Sequence, residues 1–394
     1  MNVLFWLSSS FDRRSPSEHL LTDIIEALHN QGHTVCVLQK DTSGVQAPLP
    51  EKLLHLGVKT ERIPFKLPKK GNLVGRFCAD VIYVLKCCVW LSKHKTFDRI
   101  FMQSSNVAGI QTRILRCLQK KIPVIFNVQD IFPENAVYSH KLKADGFVYK
   151  GFAFMQRHAY RYASQIITIS EDMKDQLIAL GVSEDKIRVV YNWGYRDSMY
   201  NPEQINYSCL DGLLDQTKFN VVYAGNIGMM QNVELVVRAA AQMKQEADIC
   251  FHVFGDGMYR KKLEQLAQAI NADNVFFHDM MNADCAPAIY SAADVNVIPL
   301  AKNIYRTALP SKTATCLACG KPVIFAIGRE SQFVKRLTNA VEYEVVDSDD
   351  VAALCESIRR IGKGAKTSGI QDVFERDFSR TGNSNAYVRI IENV

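Results

Sequence analysis

The feature that most constrains the fold is a regular alternation between short apolar runs and longer amphipathic stretches. Residues 2–8 (NVLFWLS) have the pattern of a buried strand, residues 20–28 place leucine and isoleucine at helical spacing, and residues 33–39 (HTVCVLQ) return to a strand pattern. Gly32 is placed to end the helix. Apolar runs of strand length, separated by stretches long enough for a crossover, are typical of parallel sheets covered on both faces. The chain therefore begins as an α/β fold with a doubly wound parallel sheet.

The same alternation runs through the rest of the chain and is interrupted once. Strand patterns before the interruption lie at residues 97–103, 121–129, 164–170 and 187–192. Those after it lie at residues 219–228, 248–257, 274–280, 294–300, 321–327 and 343–347. The interruption, residues 195–218, contains Pro202 and polar residues without a clear period. We therefore predict a first domain at 1–200, a linker at 201–218 and a second domain of the same kind at 219–370. In such sheets ligands bind beyond the carboxyl ends of the strands, so two substrates can be held by two domains.

Composition limits what these domains can contact. No run reaches the roughly 20 apolar residues that span a bilayer, and the first residues lack a signal-peptide pattern, so we expect a cytoplasmic protein. Residues 1–200 carry 27 Lys and Arg against 18 Asp and Glu, whereas residues 201–394 carry 20 against 23. This scattered excess favours an anionic membrane surface or a phosphorylated acceptor over nucleic acid, with an ordinary solvated face as the alternative. The eleven cysteines have irregular spacings, which predicts reduced thiols.

One apolar segment, FCADVIYVLKCCVWLS at residues 77–92, has two interpretations. It contains Asp80 and Lys86 and is too short to cross a membrane. It is either a packed helix of the first domain or an interfacial anchor.

Two glycine-rich turns follow strands of the second domain. In YAGNIG (223–228) the glycines allow a tight turn that exposes backbone N–H groups, which suits a phosphate, although a simple strand-to-helix turn has the same pattern. In VFGDGMYRKKL (253–263), Gly255 and Gly257 allow the backbone to approach a ligand, and Asp256 is placed to cap the next helix.

A third segment, residues 298–324, brings cations to the start of a helix. Arg306 and Lys312 flank a Pro-Ser turn that ends at Ser311, and Gly320 precedes the next strand. A cation at a helix N-terminus adds to the backbone N–H groups there and can hold a departing diphosphate. Lys312 is the best single candidate for a donor-phosphate contact, and a solvated lysine is the alternative.

These segments together resemble glycosyltransferase family 4. The resemblance is carried by YAGNIG, VFGDG, ADVNVIPL and PSK…CLACGKPV, and by ASQIITISEDMKDQLIALGVSEDKIRVVYNW in the first half. It extends from Met1 to about residue 380 and is greatest to the bacterial branch that builds O-antigens, capsules and exopolysaccharides, including L-fucosamine transferases.

The resemblance implies a GT-B fold and retaining transfer from a nucleoside-diphosphate sugar, without a cofactor or an obligatory metal. It implies that the second domain holds the donor and that a C-terminal helix, 371–394, crosses back to the first domain. On this template Gly225, Asn226 and Gly228 line the donor phosphates, Lys312 neutralises them, and the turn at 278–281 lies near the nucleobase. The full predicted donor-binding set is Gly225, Asn226, Gly228, Gln231, Gly255, Asp256, Gly257, His278, Arg306, Ser311 and Lys312.

The sequence also departs from the family pattern. Asn226 and Gln231 stand where many members have an arginine and a lysine, so phosphate neutralisation depends on Arg306 and Lys312. The paired glutamates of the family align with Thr307 and Thr315, which places their usual role in doubt. A glycine pair expected after the first strand is replaced by SPS (15–17), and we assign Ser15 and Ser17 to the acceptor side.

The first domain supplies two candidate carboxylates in VQDIFPENAV, directly after a strand. We predict that Asp130 and Glu134 are catalytic together with Lys312, because a carboxylate there can orient an acceptor hydroxyl or stabilise positive charge at the anomeric carbon. As an alternative, Asp130 caps the following helix.

The predicted function is retaining transfer of a sugar, for instance an N-acetylated deoxyhexose, from a UDP-sugar to a polyprenyl-diphosphate-linked saccharide. The enzyme would work as a peripheral protein at the inner face of the cytoplasmic membrane. The alternatives are a nucleotide-sugar 2-epimerase and a non-catalytic nucleotide-sugar-binding partner of another transferase.

Overall fold

Parallel strands form two separate sheets in the computed structural model, which describes residues 1–11, 18–42, 49–69, 72–94, 96–118, 121–338, 344–364 and 369–394. By internal packing the chain divides into a first unit, Met1–Tyr191 with Thr381–Val394, and a second unit, Asn192–Arg380. Each unit contains one of the sheets. The prediction of two Rossmann-like α/β domains is therefore confirmed.

The strand order of the first sheet reverses at its first strand. Among the described residues the strands are β1 (Asn2–Trp6), β2 (Thr34–Asp41), β3 (Lys59–Pro64), β4 (Arg99–Gln103), β5 (Val124–Val128), β6 (Gln165–Thr168) and β7 (Ile187–Val189). Their order is β3-β2-β1-β4-β5-β6-β7, with parallel pairing throughout. All five residues of β5 are buried, as expected of a strand that is covered on both faces. The reversal lies between β1 and β4, where sheets of this kind bind ligands at the carboxyl edge.

Helices cover both faces of this sheet. They are α1 (Glu18–Asn30), α2 (Glu51–His55), α3 (Leu73–Lys93), α4 (Ala108–Leu118), α5 (Glu134–Tyr138), α6 (Phe147–Tyr162) and α7 (Glu171–Ala179). Helices α1 and α2 lead from β1 towards β3, whereas α3, α4 and α6 lead in the opposite direction. Because such crossovers are right-handed, α1 and α2 cover one face and α3, α4 and α6 cover the other.

The long helix α3 settles the structure of the apolar segment at 77–92. One of its sides packs against the sheet through Tyr83, Val84, Cys87 and Leu91, all essentially inaccessible to solvent. The Tyr83 hydroxyl donates a hydrogen bond to the Leu7 carbonyl oxygen at 2.8 Å. This side of the segment is thus packed within the first unit. Among the described residues, no helix combines the length and the apolar character needed to cross a membrane.

The second sheet repeats the architecture of the first. Its strands within the described chain are β8 (Phe219–Ala224), β9 (Ile249–Phe254), β10 (Val275–His278), β11 (Val295–Pro299), β12 (Val323–Ala326) and β13 (Glu344–Val346). Their order is β10-β9-β8-β11-β12-β13, again parallel. The order reverses between β8 and β11, so this second reversal also marks an expected ligand position.

The helices of the second unit complete its core. They are α8 (Glu234–Gln242), α9 (Arg260–Ala269), α10 (Ala286–Ala292), α11 (Lys312–Ala318), α12 (Gln332–Thr338), α13 (Val351–Gly362) and α14 (Ile370–Phe378). Val221, Phe251 and Ile324 from three strands pack with Leu235 of α8 and Ile358 of α13 in one buried cluster. Burial of this apolar area is the main force that holds the layers together.

The segment interpreted as a linker packs within the second unit. The Tyr200 amide donates to the Ala318 carbonyl oxygen at 2.8 Å, and Leu210 is buried. The division between the units therefore falls at 191/192, earlier than the predicted boundaries at 200 and 218. Short polar 3₁₀ turns at Pro202–Gln204 and Ser208–Leu210 explain why the segment lacked a recognisable period.

The last helix belongs to the first unit from residue 381 onwards. Helix α15 spans Arg380–Glu392, and its Tyr387 hydroxyl donates to Asn127 Oδ1 of β5 at 3.1 Å. Near the end of the helix, Glu392 lies 2.8 Å from His33 Nε2. Helix α14, by contrast, belongs to the second unit, where its Asp377 pairs with Arg336 at 2.7 Å. The division falls at 380/381, whereas the sequence placed it at 370/371.

Candidate functional site

The two glycine-rich turns of the second unit interlock through their backbones. The Gly225 amide donates to the Phe254 carbonyl oxygen at 2.9 Å, and the Ile227 amide donates to the Asp256 carbonyl oxygen at 2.8 Å. A side chain on Gly255, which has φ +147°, would overlap the Gly225 carbonyl oxygen. The absence of a side chain at Gly255 therefore allows the two turns to pack against each other.

Asp256 does not cap the following helix. Its carboxylate accepts a hydrogen bond from the Gly257 amide at 2.7 Å, whereas α9 begins later, with Tyr259 at the N-cap and no side-chain cap. The capping prediction was wrong because the chain makes an additional turn after Gly257 before the helix starts. Asp256 remains exposed beside the turn.

Asn226 and Gln231 contact each other across Gly228. Asn226 Nδ2 donates to Gln231 Oε1 at 3.3 Å, and a Cβ at Gly228 would lie 2.6 Å from the same Oε1. The turn therefore presents neutral amide groups beside the exposed backbone. Any positive charge for a ligand at this turn must come from another segment.

That charge is supplied by Lys312, the first residue of α11. Its Nζ lies 3.7 Å from the centre of the Tyr223 ring, and a Cβ at Gly225 would lie 2.9 Å from Nζ. The residue as a whole is half-buried, but its Nζ is inaccessible and has no hydrogen-bond partner among the residues that the structure describes. Burial lowers the pKa of Lys312 to about 7. Because an unpaired buried ammonium is costly, an anion in contact with Nζ would stabilise this position strongly.

Arg306 lies nearby in sequence but contacts a different group. It ends the 3₁₀ turn Ile304–Arg306, and its Nε donates to the Tyr305 hydroxyl oxygen at 3.3 Å. The Tyr305 hydroxyl in turn donates to Glu330 Oε1 at 3.1 Å. Ser311 is the N-cap residue of α11, is exposed, and makes no side-chain cap. Lys312 therefore contacts the Tyr223 ring, whereas Arg306 contacts Tyr305.

His278 ends β10, is half-buried, and pairs with the buried His252. His278 Nε2 lies 3.0 Å from His252 Nδ1, and His252 Nε2 lies 3.0 Å from Asn220 Oδ1. The His278 ring stacks on Phe254 with centroids 4.2 Å apart. Burial lowers the pKa of His252 to about 4 and also lowers the pKa of His278, so both rings are neutral near pH 7. The sequence analysis missed His252, because the register between β9 and β10 that brings the two rings together is not a local property of either strand.

The first unit carries the two predicted carboxylates after β5. Asp130 is exposed, yet surrounding protein desolvates its carboxyl and raises its pKa to about 6. Because solvent still reaches the side chain, this shift carries little folding energy. Helix α5 has Pro133 at its N-cap without a side-chain cap, so the alternative that Asp130 caps it is wrong.

Glu134 differs from Asp130 in being buried. Its Oε1 accepts a hydrogen bond from the Tyr149 hydroxyl at 3.1 Å, whereas its buried Oε2 contacts no donor in the described part of the chain. Burial raises the pKa of the Glu134 carboxyl, an effect opposed by the hydrogen bond and by the nearby Arg157. Tyr149 lies on α6, so this helix is connected directly to the candidate acceptor loop.

Comparison with known proteins identifies both units. Residues 18–193 match the family described as "Glycosyl transferase 4-like domain", and residues 218–363 match "Glycosyl transferases group 1". Together the two matches cover most of the chain. The chain belongs to the GT-B glycosyltransferases.

Individual relatives are distant. WcaI of Escherichia coli K12, whose name refers to a colanic acid biosynthesis glycosyl transferase, is 27% identical over 42% of this chain and 41% of its own length. WbjE of Pseudomonas aeruginosa, also named as a glycosyltransferase, is 22% identical over 66% of each chain. The chain spans about half the length of the first curated relatives that it matches. Anabaena HepE, solved in complex with UDP and glucose, superposes with a TM-score of 0.73 at 17% identity, covering 100% of both chains.

This GT-B glycosyltransferase has neutral side chains where the family resemblance places paired glutamates. Thr307 is fully buried, and its hydroxyl donates to the Ile304 carbonyl oxygen at 3.1 Å, which closes the 3₁₀ turn. Thr315 is half-buried on α11. An exposed carboxylate near this segment is Glu330, which follows β12 and accepts from Tyr305. The sequence analysis missed Glu330, although its position after a strand of the sheet was a usable signal.

Two further predictions concern the acceptor side and metal binding. Ser15 and Ser17, assigned to the acceptor side of the glycosyltransferase, lie outside the described residues. Within the described ranges, His, Cys, Asp and Glu side chains form no group of three or more that could hold a metal ion.

Proposed function

We propose that this chain is a retaining glycosyltransferase that moves a sugar from a UDP-sugar to a saccharide acceptor. The observation that carries the proposal is the Lys312 ammonium, which is buried beside Gly225 without a hydrogen-bond acceptor in the described structure. It lies at the strand-order reversal of the second unit, where sheets of this kind bind nucleotides. The UDP complex of Anabaena HepE supports a uridine nucleotide.

The donor side of the reaction requires stabilisation of a leaving group. When the bond between the anomeric carbon and the diphosphate oxygen breaks, its electron pair remains on the diphosphate. The acceptor hydroxyl oxygen forms the new bond to carbon and gives up its proton. Lys312 and the backbone N–H groups of the glycine-rich turns stabilise the negative charge that grows on the diphosphate. In this proposal they do so without a cofactor or an obligatory metal.

The acceptor side of the proposal uses the loop after β5. Asp130 is exposed at the carboxyl edge of the first sheet, where it can orient an acceptor hydroxyl. Glu134 is buried and accepts a hydrogen bond from Tyr149, so in this proposal it positions the loop after β5 and contributes to the charge of that loop. Because the pKa of Asp130 is raised to about 6, this carboxyl is ionised and able to accept a proton near pH 7.

The finer substrate assignment follows from the relatives and from charge. The name of WcaI refers to colanic acid biosynthesis, which supports a saccharide acceptor. The excess of Lys and Arg in residues 1–200 suits a polyprenyl-diphosphate-linked saccharide at the inner face of the cytoplasmic membrane. We include an N-acetylated deoxyhexose as the transferred sugar within this proposal.

A transfer assay tests the proposal directly. Purified protein is incubated with UDP-, GDP- and TDP-sugars and with a lipid-diphosphate-linked saccharide, and the product is followed by mass spectrometry. We expect transfer from a UDP-sugar, with the anomeric configuration retained when the product is examined by NMR. Folded protein that transfers no sugar from any donor, or a product with inverted configuration, would contradict the proposal.

One observation favours a second candidate, a non-catalytic nucleotide-sugar-binding partner of another transferase. Thr307 and Thr315 replace the carboxylates that the family resemblance predicts, and Thr307 is committed to a structural hydrogen bond. For this candidate we expect calorimetry to detect UDP-sugar binding, while transfer stays absent and Lys312→Ala leaves polysaccharide output in cells unchanged.

A further inference from the structure

The side of α3 that faces away from the sheet is apolar from Val74 to Val89. Val74, Cys78, Ile82, Leu85 and Val89 follow one another at spacings of three or four residues and are all exposed. With 3.6 residues per turn these positions form one stripe, which lies opposite the buried side of the helix. We call these five residues the α3 stripe.

The exposure of the α3 stripe is large for aliphatic side chains. Val74 is 74% exposed, Val89 is 60% exposed, and Ile82 is 54% exposed. The α3 stripe spans residues 74–89 and so extends for about 24 Å. A continuous apolar surface of this length marks an interaction site.

Helix α6 extends the same surface with aromatic groups. Phe147 is 94% exposed, and Val148 and Phe154 are each more than half exposed. The two helices meet where the rings of Phe77 and Phe152 pack edge to face, with centroids 5.5 Å apart. Val74 and Val148 each lie about one helical turn before this contact, so the exposed apolar groups of α3 and α6 flank it.

The exposed charged residues on the helices of this surface are basic. Exposed basic residues on α3, α4 and α6, which cover the same face of the sheet, are Arg76, Lys86, Lys93, Arg113, Arg116, Lys150, Arg157 and Arg161. The acidic residue that these helices contain is Asp80, which pairs with Lys40 at 2.6 Å. The cations of α4 and α6 are close enough to lower the pKa of His158, in addition to the effect of burial. The surface is therefore apolar and cationic.

This surface adjoins the candidate acceptor loop. The Phe132 ring packs edge to face on Phe152, with centroids 4.9 Å apart. Phe132 lies between Asp130 and Glu134, and Tyr149 of α6 bonds to Glu134. A partner bound along α3 and α6 would thus lie next to the residues that the proposed function assigns to the acceptor.

We propose that the α3 stripe and the exposed Phe147, Val148 and Phe154 of α6 form a docking surface for an anionic lipid bilayer. Apolar and aromatic side chains enter the boundary between headgroups and acyl chains, and the flanking cations bind anionic headgroups. The docking surface suits a bilayer because the exposed charges of α3, α4 and α6 are positive while its apolar part is long and contains aromatic rings. The inference rests on the proposed function only in its choice of a lipid-linked acceptor.

Vesicle co-sedimentation tests the docking surface with the full-length protein. The probes are phosphatidylcholine vesicles with and without phosphatidylglycerol, at low and high salt. We expect the protein to sediment with the anionic vesicles and to bind less at high salt, because screening weakens exposed charges. Absence of binding to anionic vesicles at low salt would overturn the inference.

Matched variants locate the binding to this surface. Ile82→Glu and Phe147→Glu are each expected to lower the vesicle partition coefficient by roughly tenfold or more. Leu54→Glu is the control, because Leu54 is 51% exposed on α2, on the opposite face of the sheet. A Lys93→Gln and Lys150→Gln double variant should lose binding to anionic vesicles specifically. Equal losses for Leu54→Glu and Ile82→Glu would contradict the assignment, as would vesicle-independent self-association that Ile82→Glu abolishes.

The same variants separate this inference from the proposed function. Circular dichroism melting first confirms that each variant is folded. Transfer to a water-soluble saccharide that lacks the lipid should be unaffected by Ile82→Glu. If the protein binds vesicles but transfers sugar from no donor, the proposed function fails and the docking surface stands. If the protein transfers sugar but does not bind vesicles, the docking surface fails and the proposed function stands.

Discussion

At the scale of single residues, the unusual chemistry of the second unit is concentrated at Lys312. Its ammonium contacts the face of the Tyr223 ring at 3.7 Å. A cation–π contact offsets part of the cost of burial but provides no hydrogen-bond acceptor. The low pKa of Lys312, about 7, is the expected result of burial without an opposite charge.

We expect donor binding to weaken as the pH rises from about 7 to about 9. Over this range the free protein loses the Lys312 proton, whereas a bound diphosphate raises the lysine pKa and favours the charged form. The affinity for UDP-glucose, whose diphosphate diester does not titrate here, should fall by up to about tenfold per pH unit. Calorimetry in two buffers of different ionisation enthalpy should report proton uptake on binding near pH 8.

The matching substitution is Lys312→Met, with Lys302→Met as control. Lys312→Met should weaken UDP-glucose binding by about 10- to 100-fold at pH 7 and remove the pH dependence. Lys302 lies in the same unit with a 71% exposed side chain, so its replacement should change little. Unchanged affinity in Lys312→Met would exclude this residue from the donor site.

Gly255→Ala should destabilise the second unit through the interlocked turns. The added methyl group would overlap the Gly225 carbonyl oxygen, so one turn must shift, at a cost of about 3 kcal/mol. Gly212→Ala is the control, because Gly212 also has a positive φ, +73°, but has open space around it. Its cost is expected to be about 1 kcal/mol. Urea unfolding measures the free energy of unfolding of each variant. Equal losses would show that the positive φ alone, and not the overlap with Gly225, determines the cost of both substitutions.

At the scale of elements, α3 is attached to the first sheet by an ion pair as well as by apolar packing. Asp80 of α3 lies 2.6 Å from Lys40 of β2, and both side chains are at most 15% exposed. Lys40 Nζ also lies 4.3 Å from the centre of the Phe65 ring. This ion pair holds α3 with the α3 stripe facing outward. Loss of the pair should therefore lower the stability of the first unit and also change the orientation of α3.

Asp80→Asn should destabilise the first unit by about 3 kcal/mol, because it leaves the Lys40 ammonium buried without its charge partner. Glu184→Gln is the control: it breaks the Lys174–Glu184 pair of the same unit, in which Glu184 is 70% exposed. That change should cost about 0.5 kcal/mol or less. Chemical unfolding of the two variants distinguishes them, and similar losses would contradict a buried role for the α3 pair.

At the scale of the whole molecule, each unit has its own core and the chain returns to the first unit at its end. Tyr387 of α15 is buried and bonded to Asn127, so residues 381–394 complete the first unit. The candidate donor residues all belong to the second unit, and the described candidate acceptor residues belong to the first. Stability and ligand binding should therefore be separable by unit.

Tyr387→Ala tests this separation. The variant should lower the stability of the first unit by about 3 to 5 kcal/mol, because it removes a buried ring and its hydrogen bond. Tyr387→Phe should cost about 1 kcal/mol. Differential scanning calorimetry should show a lower transition for the first unit, while UDP-glucose still raises the other transition. Loss of the UDP-glucose effect would show that the units do not act separately.

The sequence was sufficient to predict the two parallel sheets except for β3, an edge strand with mostly exposed or half-buried residues. Buried strands such as β5 and β11 are apolar runs interrupted by a single asparagine, and such runs are a local property of the chain. The sequence also predicted that Gly225 follows a strand and that Lys312 lies at the start of a helix, because strand ends and helix starts have local sequence patterns. The boundaries at 191/192 and 380/381 were not readable, since polar 3₁₀ turns pack without a period.

Side-chain partners and burial depended on residues far apart in the chain. Nothing local to Lys312 indicates that a ring from β8 would cover its ammonium, and nothing local to α3 indicates which side stays exposed. The hydrogen bonds of His252 with His278 and of Glu330 with Tyr305 likewise join segments that are distant in the chain. Local apolar periodicity selects the elements and their order. The pKa values, the hydrogen-bond partners and the choice of which helix side stays exposed depend on how distant segments pack, because that packing decides which groups lose contact with water.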